Sequence, residues 1–186
     1  MDLRTHYFLV FPPPAAQETY LTPVEFMDAF AVRYGKEPVN VPSFCSCEYN
    51  GVRIKPYTLE HALVCGHGGN IVGRHNMYVK ELKHIAATAT GGTEYSTTTE
   101  VWLREPCQDN LEGLRSDIQI RGLESSGTIT QIDVRVCYPN AQSYQRRSTK
   151  AILKEAETEK RRIYDDQCKS MGHRFIPFVT TTDGAL

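Results

Sequence analysis

Apolar positions recur along this chain with two different periods, and the changes of period mark its elements. Val24, Met27, Phe30 and Ala31 stand at helical spacing with Phe26 on the flank, after a Thr22 cap and a first-turn Pro23, which predicts a short helix with that stripe buried. A second helical pattern runs from about Arg74 to Ala89, with Tyr78, Leu82, Ile85, Ala86 and Ala89 facing inward and Gly91-Gly92 as its stop. The period then falls to two. Thr97 to Leu103 is β-branched and aromatic. Leu114 to Ile120 and Ile132 to Tyr138 alternate around Gly122-Leu123-Glu124-Ser125-Ser126-Gly127, which predicts an antiparallel hairpin. A long helix follows from about Thr149 to Met171, its inner stripe formed by Ile152, Ala156, Ile163 and Gln167. Arg174 to Thr180 closes the pattern as a strand that Pro177 suits to an edge. Strand, long helix and strand make a crossover unit, so the expected class is α/β with a mixed sheet.

At 186 residues the chain has room for one domain with a sizeable core, or that domain plus a small appendage. The boundaries expected are 1–70 for the first helix and a cysteine-rich segment, and 71–186 for the rest. No run approaches about 20 apolar residues, which excludes a membrane span from the expectation, and the start at Met1 carries no basic segment feeding a long apolar run. An intracellular protein is expected. The net charge of −1 offers no global field for a polyanion, so a nucleic-acid partner would have to be held locally. Between Gln142 and Arg174 nine Lys/Arg face five Asp/Glu, a modest local excess.

Six cysteines, without a secretory signal, point to metal ligation or burial in preference to disulfides. Cys45-Ser46-Cys47 followed by His61 and Cys65 places three thiols and an imidazole within 21 residues. His61 and Cys65, four apart, share a helix face, and Cys45 and Cys47 share one side of an extended segment. Two readings stand: a structural zinc set, or buried free thiols beside a surface histidine. Cys107, Cys137 and Cys168 lack partners at ligand spacing and read as packing residues.

The hairpin holds the sharpest chemistry. If it turns about Ser125, Asp117 lies opposite Asp133, and like charges with Cβ atoms about 5 Å apart destabilise a sheet unless compensated. A divalent cation such as magnesium is one compensation; two solvated aspartates are the plainer alternative. Lys160 falls inside the apolar stripe of the long helix, where it either snorkels or reaches an anionic site on the sheet, while Lys154, Arg161 and Arg162 face outward.

Taken in order, these pieces resemble the restriction-like endonuclease domain of non-LTR retrotransposon and related reverse-transcriptase polyproteins. The resemblance rests on Phe26-Met27 through Arg33-Tyr34-Gly35 and on Cys45-Ser46-Cys47. It continues in His61-Ala62-Leu63-Val64-Cys65 with Gly68-Gly69 and Arg74-His75-Asn76, in the Asp117 and Asp133 strands, and in Glu159-Lys160-Arg161-Arg162-Ile163-Tyr164. It implies a PD-(D/E)xK fold, a four-stranded mixed sheet flanked by helices, behind an N-terminal zinc knuckle of Cys45, Cys47, His61 and Cys65. It further implies that Asp117 and Asp133 hold Mg2+ or Mn2+ for nicking DNA, with element RNA or a reverse transcriptase as further partners and a nuclear or otherwise intracellular setting. Arg135 stands where the family pattern has a lysine, so the cationic role passes to Lys160, with Arg135 on phosphate and Glu100 as a third acid. Arg74 and His75 are expected to contact DNA or the site, or to serve as ordinary cap and packing groups; Lys154, Arg161 and Arg162 are expected at phosphates. Met77 stands where relatives tend to carry an acid, and Ser116 replaces the motif's proline. Arg135 and Met77 favour the alternative of a non-catalytic zinc-containing DNA-binding or interaction module.

Overall fold

A computed structural model describes residues 22–34, 36–37, 41–45, 47, 55–66, 70–91, 96–107, 112–182 and 184–186. The expectations placed on the N-terminal stretch, Gly35, Gly68-Gly69 and Gly92 lie outside these residues. The chain divides into two compact units, Met1–Gly68 and Gly69–Leu186.

In the first unit, α1 spans Pro23–Arg33 and α2 spans Leu59–Val64. The stripe expected to be buried in α1 is not: Val24, Met27 and Phe30 are exposed, and the rings of Phe26, Phe30 and Tyr34 pack along the helix. Among the described residues this apolar face joins no buried hydrophobic cluster. Phe44 and Pro56 form an isolated antiparallel bridge, braced by Cys45 N–H donating to Lys55 O and Tyr57 N–H to Ser43 O. Thr58 caps α2 by accepting from His61 N–H, and Glu37 accepts from Leu59 N–H.

The second unit is α/β. Its helix α3 spans Asn70–Ala89 and is followed by β1 Thr97–Arg104, β2 Leu114–Arg121 and β3 Ile129–Cys137. A 3₁₀ turn at Gln142–Tyr144, α4 Thr149–Ser170 and β4 Arg174–Thr181 complete the unit. The four strands lie in the order β1-β2-β3-β4, the first three antiparallel and β4 parallel to β3 through the α4 crossover. Pro177, which cannot donate to a ladder, sits on the edge strand opposite Asp133. The β2–β3 turn is tightened by Gly122 and Gly127, both at positive φ.

Alternation sends the two faces of this sheet to different helices. Ile118, Ile120, Ile132 and Val134 pack against Ala86, Leu82, Tyr78 and Val79 of α3. Leu103 and Phe175 pack against Tyr164 and Cys168 of α4, and Cys137 against Ile152 and Ala156. The inner face of α4 is therefore an i, i+4 ridge of Ile152, Ala156, Lys160, Tyr164 and Cys168. Ile163, expected inside, is 41% exposed because the ridge drifts one position from the wheel estimate. Ile85 and Ala89 of α3 likewise turn outward. Cys137 and Cys168 are core residues as expected, whereas Cys107 is exposed.

Candidate active site and candidate metal centre

The four side chains Cys45, Cys47, His61 and Cys65 converge, with their ligand atoms all within 4.8 Å of one another. Cys45 and Cys65 come from the bridge and the C-terminus of α2, and their Sγ atoms lie 3.8 Å apart; Cys47 Sγ lies 3.3 Å from His61 Nε2. A tetrahedron with Zn–S of about 2.3 Å and Zn–N of about 2.0 Å has edges of about 3.5–3.8 Å, so spacing and donor chemistry both fit zinc. Cys45 and Cys65 are buried, which closes the set on its inner side. Desolvation, followed by the adjacent Cys45 and Cys65 thiols, pushes Cys47 up to about 11 when no cation is bound. A coordinated metal reverses that order by drawing off the proton. Among the described residues this is the only such convergence of three or more His, Cys, Asp or Glu side chains.

The second cluster lies where the sheet opens. β2 pairs with β3 as Ile118–Ile132, Gln119–Gln131 and Ile120–Thr130, the register that sets Asp117 opposite Asp133. The ladder stops at Ile118, and the pairing of β2 with β1 passes from Ile118 to Ser116, so Asp117 belongs to neither. Instead its Oδ2 accepts from Val134 N–H at 2.6 Å, and its Oδ1 lies 3.2 Å from His75 Nε2 of α3. Asp133, 4% exposed, is reached from the other face: Lys160 Nζ is 2.5 Å from Oδ2, and the Tyr164 hydroxyl donates to Oδ1 at 2.5 Å. The Tyr164 oxygen also lies 3.0 Å from Arg115 O. These five side chains line one cavity of about 510 Å3, with Trp102, Glu112 and Arg115 also on its wall.

The electrostatics follow from this packing. Burial raises the Asp133 carboxyl above its ordinary value, against the pull of the Lys160 ammonium and the Tyr164 hydroxyl, and the nearby Asp117 adds to the rise. His75 is raised by its hydrogen bond to Asp117, partly offset by burial. Tyr164 is raised by burial and then by its bond to Asp133, so it serves as a neutral donor. The repulsion between the two aspartates is thus compensated by groups of the protein itself. A lysine, a tyrosine, a backbone N–H and a histidine surround the two facing aspartates.

The other expected site residues fall elsewhere. Glu100 does not join the cavity: it sits at φ +56 in β1, is mostly exposed, and pairs with Arg115 at 2.8 Å. Arg135 pairs with Glu159 of α4. Lys154 pairs with Glu157, and Arg161 with Glu157 and Asp165. Lys154 and Arg162 line a separate surface hollow of about 530 Å3 that also contains Glu155 and Glu159. Arg74 is partly buried on α3, where desolvation lowers its guanidinium. Met77 is exposed.

Tyr164 was not singled out from the sequence, although its i+4 relation to Lys160 was the available signal. Among the described residues no helix is long and apolar enough to cross a membrane. No family model matches the chain, and no curated protein matches it.

Proposed function

We propose that the chain is a magnesium- or manganese-dependent DNA endonuclease with a structural zinc knuckle, nicking DNA by phosphodiester hydrolysis. One observation carries the reading: Asp117, Asp133 and Lys160, drawn from two strands and a helix, meet at a single open cavity. The element order, with three antiparallel strands and a fourth reached by a helical crossover, supports the restriction-like resemblance.

Two carboxylates beside a cavity with room for water and a phosphate suit a hard cation. Asp117 and Asp133 would hold it, and when bound it supplies Lewis-acid polarisation of the phosphate and a lowered pKa for attacking water. The remaining work belongs to the chain. Lys160 leaves Asp133 for the phosphate to offset developing negative charge, a role a lysine point charge can fill. Tyr164 keeps Asp133 oriented throughout, and Val134 N–H does the same for Asp117. His75, next to Asp117, is placed to hold or release a proton at Nε2.

The test is nicking of supercoiled plasmid with magnesium or manganese by the intact chain and by Asp117→Ala, Asp133→Ala and Lys160→Ala. Metal-dependent nicking that all three substitutions abolish supports the reading, and no nicking by a folded, zinc-loaded protein defeats it. A second reading, a non-catalytic DNA-binding module of the same fold, draws on the internal pairing of every oxygen of the two carboxylates. Unaltered DNA binding in the absence of nicking would select it.

A further inference from the structure

The lining of the cavity that holds Asp117 and Asp133 includes the chain's one tryptophan, and its setting is built. Trp102, on β1, is 41% exposed while lining the cavity. The Arg115 guanidinium lies 5.3 Å from the indole centroid, a cation–π distance, and Glu100 accepts from that arginine at 2.8 Å. Gly113 admits the ring: a Cβ there would meet indole Cζ3 at 2.7 Å, and its φ of +59 further reserves the position for glycine. Glu100, Arg115 and Gly113 together hold in place a large aromatic surface that the core does not cover.

We infer that Trp102 is a stacking platform for an unpaired nucleobase of DNA next to the scissile phosphate, so that the substrate is DNA with a single-stranded or extruded nucleotide at the cut. This rests on the nuclease reading and names its substrate class. In an intact duplex the base faces are covered by their neighbours, and an indole at the reacting phosphate has nothing flat to meet. An unpaired base offers its π-face, and stacking on an aromatic side chain is sequence-tolerant and strong enough to position the adjoining phosphate. Arg115 increases the effect by polarising the ring from one side and carrying positive charge toward the backbone.

Because Trp102 is the only tryptophan, its emission reports the event directly. The intact protein is titrated, with calcium in place of magnesium, with fluorescein-labelled oligonucleotides, following label anisotropy for binding and tryptophan emission for stacking. Single-stranded DNA, and duplex with a short unpaired stretch, are expected to quench emission by half or more. The fully paired duplex is expected to bind with less than a tenth of that quenching. Abasic residues in the single strand should remove the quenching. Trp102→Ala should weaken single-strand binding about tenfold, within the range for one stacked base, while Trp102→Phe retains most of it and shows that the fold survives. Binding of single strands without quenching, equal quenching by paired duplex, or equal affinity in Trp102→Ala would each overturn the platform and leave the nuclease reading standing. Preferential quenching by RNA would overturn the assignment to DNA. Absence of binding to every DNA, with no nicking, would remove the nuclease reading and the platform with it.

Discussion

The cysteine–histidine cluster and the aspartate cluster are both small groups of ionisable side chains, yet they are built on opposite electrostatic plans. The first gathers four donors from a 21-residue stretch and brings no cation of its own. Burial and the neighbouring Cys45 and Cys65 hold the Cys47 thiol protonated, and a bound metal would relieve this. The second gathers Asp117, Asp133, His75 and Lys160 from four elements, β2, β3, α3 and α4, as much as 85 residues apart, and its carboxylates are already paired within the protein. A metal bound at the first cluster would therefore add to folding, whereas at the second it would have to compete with Lys160 and Tyr164 for oxygens already in use.

The largest effect expected from this contrast is at the cysteines. Cys65→Ser should abolish a stoichiometric zinc and release the segment 41–66 to proteolysis, since apparent zinc binding in comparable small sites amounts to about 10–16 kcal/mol. Elemental analysis showing zinc retained in that variant would break the contrast. Next comes Lys160→Met, which strands a carboxylate that is 4% exposed; removing one partner of a buried pair costs about 3–5 kcal/mol. Because the lysine is itself one-fifth exposed, the lower end is expected in urea denaturation. Adding Asp133→Asn to it should recover most of the loss, and a double variant no more stable than the single would mean that the pair is not the source.

Tyr164→Phe removes one hydrogen bond to a charged acceptor and should cost about 1.5–3 kcal/mol. An unchanged urea midpoint would show that Asp133 is oriented by Lys160 alone. The smallest effect is a pH dependence at His75. Its pKa is raised in the folded protein by Asp117, so the stabilisation is fully present below about 6.5 and is lost as pH rises through the folded value. With both groups partly exposed, the difference between the native chain and His75→Gln should stay under about 1 kcal/mol. That difference should shrink between pH 6 and pH 9; growth over that interval would reverse the assignment.

Much of the fold was legible because its causes are local. Period-two alternation around a glycine-bounded turn is enough to register β2 on β3, since a slip by one residue would turn Ile118 and Ile132 away from α3. The convergence of the cysteine–histidine cluster was legible for the same reason: Cys45, Cys47, His61 and Cys65 are brought together within one short stretch by a bridge and a helical turn. The long helix was visible too, and with it the oddity of a lysine in an apolar stripe. Its exact face was not, because a wheel anchored on Ile163 and Gln167 cannot know that the sheet prefers the Tyr164–Cys168 ridge.

What the chain determined by itself, then, was every term set by neighbours in sequence: periodicity, caps, turns and the short-range ligand spacing. Only the tertiary structure decided which charge answers which. Opposed aspartates demand compensation, but Coulomb's law does not say from where, and the partners that supply it, His75 from one face and Lys160 with Tyr164 from the other, become neighbours only once both helices have packed on the sheet. Glu100 illustrates the converse: in sequence it is an acid on a strand beside the site, but a left-handed backbone and Arg115 hold it outside the cavity, a placement fixed by packing that no local pattern records.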